Sequence, residues 1–262
     1  MEIFSLISAL ETSYAKYFTE ELGDKRFKHR QIIPLINSLS ENPLFVVEKL
    51  GESAEKRKIF LIKYGNGSRN ILIWSQMHGN EPTGTMALFD LFNFLERNSD
   101  QEYIKRWRSE FSFHFIPMLN PDGVELFQRR NALHIDINRD ALALQTPEAR
   151  ILSDYRNKIS PRWAFNLHDQ DAHYSVGYSN KPACISLLAP SYNMAEDIND
   201  NRRDTMLLLG SAAKLISGFI PGMIGRYWST YSARCFGDHF QSLGTNTLLI
   251  ESGVYPYESN KE

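Results

Sequence analysis

The chain has 262 residues, of which 42% are hydrophobic and 23% charged, with a formal net charge of −2. That length suits one large α/β domain with a sizeable core, and the near-neutral charge leaves no global basic field for nucleic acid or an anionic membrane. Two cysteines, Cys184 and Cys235, form neither a disulfide framework nor a metal-type spacing, the apolar start Met1–Ile7 lacks the basic flank of a signal peptide, and no stretch approaches the length of a membrane span, so the expectation is a cytoplasmic protein.

In chain order, Ile3, Phe4, Ile7, Leu10, Tyr14 and Tyr17–Phe18 recur at helical spacing, and a short second helix follows near Ile32 to Leu39. These make 1–40 a helical N-terminal extension. Leu44 to Leu50, Ile59 to Tyr64 and Asn70 to Met77 read as strands, with Gly65-Asn66-Gly67 as the turn between the last two. A helix follows from Thr83 to Arg97 and a strand from Phe111 to Leu119. Pro147 to Asn157 is the next helix, with Thr146 as its N-cap and Pro147 at the first helical position. Trp163 to Leu167 and Thr247 to Ile250 are short strands on either side of a helix over Asp204 to Ser217. This alternation predicts one α/β domain, a mixed and mostly parallel twisted sheet with helices on both faces.

Four apolar runs each lead into a polar cluster. Ile71–Trp74 leads toward His78-Gly79-Asn80-Glu81, and Phe113–Leu119 into Asn120-Pro121-Asp122-Gly123. Trp163–Leu167 leads into His168-Asp169, and Thr247–Ile250 into Glu251-Ser252-Gly253. Open α/β sheets bind ligands beyond the carboxyl ends of their strands, so if these strands are neighbours the four clusters meet. His78 and Glu81 offer an imidazole and a carboxylate suited to Zn²⁺, and His168 completes a His2Glu set with an open position. Asp169 and Asn166 both stand near enough in sequence to orient a ligand histidine, though neighbours on a strand face opposite ways. Glu251 is placed to activate a metal-bound water. Arg129, Arg130 and Arg139 form a basic cluster able to grip a carboxylate or an oxyanion. Each feature alone has a plainer explanation: a helix-capping carboxylate, a core histidine, a solvated basic loop.

The sequence resembles the metallocarboxypeptidases, zinc exopeptidases like carboxypeptidase A, and within them the short bacterial branch that includes murein-peptide amidases. The resemblance rests on His78-Gly79-Asn80-Glu81-Pro82-Thr83-Gly84, Asn120-Pro121-Asp122-Gly123, Arg129-Arg130-Asn131-Ala132, Asp136-Ile137-Asn138-Arg139, Asn166-Leu167-His168-Asp169 and Glu251-Ser252-Gly253, in that order over Met77 to Gly253. It implies an eight-stranded mixed sheet and one zinc ion held by His78, Glu81 and His168. It also implies Glu251 as general base, Arg129 (rather than Arg130) polarising the scissile carbonyl, and Asn138 with Arg139 binding a terminal carboxylate. The substrate implied is a peptide or amino-acid conjugate with a free carboxylate.

Three departures from the family pattern stand out. The tyrosine that closes over substrate is either Tyr227 or Tyr231, with Tyr231 preferred. The specificity segment is replaced by Ser232–Asp238, where Arg234 favours an acidic substrate group or pairs with Asp238. The family's long helix after the general base is not seen before Glu262. The competing functions are an acyl-amino-acid deacylase resembling aspartoacylase and succinylglutamate desuccinylase, and a binding module without catalysis.

Overall fold

The computed structural model describes residues 3–256, with the side chains of 3–5 left aside. Eight strands form one sheet: β1 (Phe45–Glu52), β2 (Lys58–Tyr64), β3 (Arg69–Trp74), β4 (Phe111–Ile116), β5 (Trp163–Asp169), β6 (Ile185–Leu188), β7 (Ile224–Arg226) and β8 (Asn246–Ser252). Their order is β1-β2-β4-β3-β5-β8-β6-β7. The central strands β4, β3, β5 and β8 run parallel, while β1, β2 and β6 join antiparallel to their inner neighbours. The helices are α1 (Ile3–Ser13), α2 (His29–Glu41), α3 (Thr83–Arg97), α4 (Glu102–Glu110), α5 (Pro121–Leu126), α6 (Pro147–Ile159), α7 (Asp200–Ile216) and α8 (Phe236–Ser242).

Side chains alternate across a sheet, and the two faces have separate cores. On one, Ile62, Ile71, Ile73 and Phe115 pack with Ile32 and Ile36 of α2 and Leu88, Phe89 and Phe92 of α3. On the other, Leu61, Leu72, Trp74 and Ala164 pack with Leu152 of α6 and Phe236 and Phe240 of α8. Each fully buried Leu, Ile or Phe side chain among them stabilises the fold by about 1.5–3 kcal/mol. The helix start expected at Thr146 is as read: its hydroxyl accepts from the Ala149 amide, with Pro147 at the first turn.

Several expectations need correction. The strands expected over Asn70–Met77 and Phe111–Leu119 end earlier, at Trp74 and Ile116, because Ser75–Met77 and Pro117–Leu119 leave the ladder for loops. By contrast β5 and β8 run on through Asp169 and Ser252, paired residue for residue. The helix expected from Asp204 starts four residues earlier, where Asn199 accepts from the Arg202 amide as its cap. The short strands β6 and β7 and the helices α4, α5 and α8 were not read from the sequence. Residues 257–262, where a helix after Glu251 would begin, lie outside the described residues.

Candidate active site

Parallel strands β3, β5 and β8 bring three separated sequence clusters to one edge of the sheet. His78 sits on the loop leaving β3, and Glu81 two residues before α3. His168 and Glu251 are cross-strand partners on β5 and β8, so their side chains share one face. His78, Glu81 and His168 are buried, and their candidate ligand atoms all lie within 4.8 Å of one another. Glu81 Oε1 is 2.7 Å from His78 Nδ1, and Oε2 is 2.7 Å from His168 Nδ1.

Two acidic residues hold this triangle. Asp136 Oδ1 lies 3.0 Å from His78 Nε2, and Asp136 Oδ2 accepts from Arg129 Nε at 3.0 Å. Asp169 faces the other way from His168: its Oδ2 accepts from the Thr83 amide at 3.1 Å and the Thr83 hydroxyl at 2.9 Å. It thereby pins the start of α3, just after Glu81, to the end of β5, just after His168. Gly79 makes the same loop possible from the other side. A Cβ there would come within 2.0 Å of the Gly123 carbonyl carbon, so only glycine lets the ligand loop lie against α5. The Asn120-Pro121-Asp122-Gly123 segment is scaffold: Asn120 Oδ1 accepts from the Gly123 amide, and its Nδ2 donates to the carbonyls of Met77 and Arg129. Buried Asp122 accepts from Ser53 Oγ and Arg57 and so fastens the β1–β2 turn.

The electrostatics follow from burial and crowding. Burial raises the Glu81 carboxyl, but His168 and His78 more than offset it and hold it well below the usual carboxylate range. For Asp136 burial also raises, and the hydrogen bond to His78 and the nearby Arg129 prevail, leaving it well below that range. Burial pushes the Glu251 carboxyl up and Asp169 up to about 6.

The donor set fits a divalent cation. Asp136 beside Nε2 can fix the proton of a neutral His78 there, which would free the Nδ1 lone pair for a cation. Nδ1 sits 2.7 Å from a Glu81 carboxylate oxygen, a contact that calls for positive charge there, from a proton or from a cation. Arg129 supplies some: its Nη1 lies 3.1 Å from both His78 Nδ1 and Glu81 Oε1. Two imidazoles and a carboxylate form the set typical of catalytic zinc.

A cavity of about 230 Å³ opens over the triangle, lined among others by Arg129, Asn138, Arg139, Tyr227 and Glu251. The remaining expected residues divide. Asn138 Oδ1 accepts from the Phe236 amide at 3.0 Å, leaving its Nδ2 as the free donor end, and Arg139 Nη1 donates to the Asn138 carbonyl. Arg130 lies off the cavity, donating to the His134 carbonyl. Tyr231, preferred from sequence, does not line the cavity, whereas Tyr227 does. The reason is local: Tyr227 directly follows β7, and its amide donates to the Leu187 carbonyl of β6. Arg234 also lies outside the cavity lining and does not pair with Asp238; its Nε donates to the Arg139 carbonyl, and Asp238 accepts from the Ser232 amide. Asp136 was missed as a partner of His78, although it stands inside the quoted Asp136–Arg139 segment.

The zinc carboxypeptidase family profile matches residues 35–143. A probable carboxypeptidase 2 of Trichophyton verrucosum is 32% identical over 189 residues, 71% of this chain and 35% of that protein. Residues 35–143 belong to the zinc carboxypeptidase family. The chain spans about a third of the length of this fungal carboxypeptidase relative. In fold it is similar to the metallo-carboxypeptidase of Burkholderia cenocepacia, with TM-score 0.70 and 18% identity over 87% of this chain and 60% of that one. It is also similar to carboxypeptidase A of Helicoverpa armigera, with TM-score 0.69 and 14% identity over 97% and 71%. The fold around the eight-stranded sheet is thus carboxypeptidase-like. Among the described residues no helix is long and apolar enough to cross a membrane.

Proposed function

We propose that the chain is a zinc-dependent hydrolase that cleaves a peptide or amide bond next to a free carboxylate. The observation that carries this is the convergence of His78, Glu81 and His168 within 4.8 Å, with Glu251 directly across the ladder from His168. His78, Glu81 and His168 would hold one zinc ion, which when bound supplies Lewis acidity toward the scissile carbonyl and toward water.

The protein's own groups do the rest. Arg139 and the free donor end of Asn138 bind the substrate's carboxylate and so fix which bond is presented. Arg129, whose guanidinium borders the ligand triangle, donates to the carbonyl oxygen as negative charge develops on it. Glu251 takes a proton from the attacking water at its carboxylate and returns it to the leaving amine. Tyr227, rather than Tyr231, covers the cavity. The deacylase reading shares this metal set, and cleavage of N-acyl amino acids set against peptides separates the two.

The test is Glu251→Gln. The variant is expected to bind zinc as the wild type does and to lose about 10²–10⁴-fold in turnover, measured as C-terminal amino-acid release alongside metal content. Wild-type turnover in this variant would sink the mechanism.

A further inference from the structure

Asn166 is fully buried, lines the cavity, and makes no hydrogen bond through either end of its amide. Buried polar groups are almost always paired, and an unpaired one calls for an explanation, a ligand, water or ion at the site among them. The sheet register places this one. His168, Glu251 and Ser186 are cross-strand partners and form one row on the site face of β5, β8 and β6. Asn166, Leu249 and Leu188 form the next row, two residues back along β5 and β8 and two forward along antiparallel β6, about 7 Å deeper. The first row carries the reaction, and the second is the wall behind it. Gly237 keeps that wall open: a Cβ there would sit 3.2 Å from the Pro190 ring and 3.8 Å from Asn166 Nδ2.

We propose that Asn166 reads the side chain of the substrate's C-terminal residue, and that this pocket takes a carboxamide, as in glutamine or asparagine. This rests on the hydrolase reading, with the substrate's carboxylate held at Asn138 and Arg139. An amide offers a donor to Oδ1 and an acceptor to Nδ2, so it satisfies both ends of Asn166 at once. An acidic side chain leaves Oδ1 unpaired and enters a cavity also lined by Glu81, Asp171, Asp238 and Glu251. A lysine-like side chain leaves Nδ2 unpaired. It also finds Asp238 already engaged by the Ser232 amide and the Ser191 backbone. An apolar side chain suits Leu188, Leu249 and Pro190 but leaves both amide ends unpaired.

The experiment compares otherwise identical peptides ending in Gln, Met, Glu or Lys, in the wild type and in Asn166→Leu. Free glutamine and methionine are also titrated into both proteins by calorimetry, which needs no turnover. The expected result is a Gln-over-Met preference of at least about tenfold in kcat/KM and in binding. Asn166→Leu is expected to lose or invert it while still cleaving the Met-ended peptide. Equal wild-type use of Gln and Met overturns the proposal. So does an equal loss on all peptides together with weakened zinc binding in Asn166→Leu, which makes Asn166 a support for His168. If Asn166→Leu fails to fold, Asn166→Ser and the wild-type ratios decide in the same way. Absence of release from every peptide with the glutamine binding preference intact overturns the hydrolase reading alone. Release without preference overturns this proposal alone.

Discussion

A single carboxylate, Asp136, organises the metal triangle without belonging to it. It accepts from His78 Nε2 at 3.0 Å, from Arg129 Nε at 3.0 Å and from the Asn138 amide at 2.9 Å. One residue therefore touches the proposed ligand His78, the proposed oxyanion donor Arg129 and the segment proposed to bind the substrate's carboxylate. Asp136→Asn is expected to weaken zinc affinity by about 10–100-fold, read by competition with a chromogenic chelator. Unchanged affinity would show that His78 is held by its loop alone. The ligands themselves were legible because a histidine or carboxylate after an apolar run is conspicuous. Asp136 was not, because 58 positions separate it from His78 and no local pattern marks the pairing. Tyr231 was preferred over Tyr227 for a similar reason: only β7, three residues long, decides which one faces the cavity.

At the level of elements, the site is made by loops that lie closer to their neighbours than side chains allow. The β3–α3 loop touches α5 through Gly79 and Gly123 and is tied to Asn120. Gly79→Ala is expected to cost about 1–3 kcal/mol through forced displacement, measured by urea denaturation, with a loss of zinc affinity because His78 and Glu81 flank the glycine. A variant as stable as wild type would mean that the loop yields freely. The long elements were legible from their apolar periodicity. The helix α8 carries Phe236 and Phe240 at helical spacing, but Gly237, Asp238 and His239 between them blur the pattern. The strands β6 and β7 were not legible: four and three residues give no alternation to read, and they are strands only because β8 offers β6 an edge.

For the whole molecule, a buried histidine makes stability depend on pH. Asn70 Nδ2 donates to the Ile159 carbonyl, which turns its Oδ1 toward His114 Nε2 at 3.2 Å. Nε2 therefore carries the proton, and Nδ1 accepts from the Tyr155 hydroxyl at 2.7 Å. Burial, reinforced by Lys63, depresses the imidazole from its ordinary value near 6.5 to about 4. A lowered folded value means that the unfolded chain takes up this proton first as pH falls. The contribution is fully present above about 6.5 and is lost as pH drops toward 4. Urea midpoints measured across that window should fall less steeply in His114→Gln than in the wild type; equal slopes would contradict the assignment.

The α/β class and the candidate ligands were readable from the order of apolar runs and polar clusters, whereas the meeting of those clusters was read only on the condition that β4, β3, β5 and β8 are neighbours, as they are. What folding added was the register that sets Glu251 against His168 and Asn166 one row behind. The central claim is that this edge of the sheet is a zinc-dependent hydrolytic centre. The most direct measurement strips the protein with chelator and titrates zinc back while recording C-terminal amino-acid release from a peptide mixture. The account predicts no release without metal and a rise to a plateau at one equivalent. Release that is unaffected by the chelator, or a fully loaded protein that frees no C-terminal residue, would contradict it.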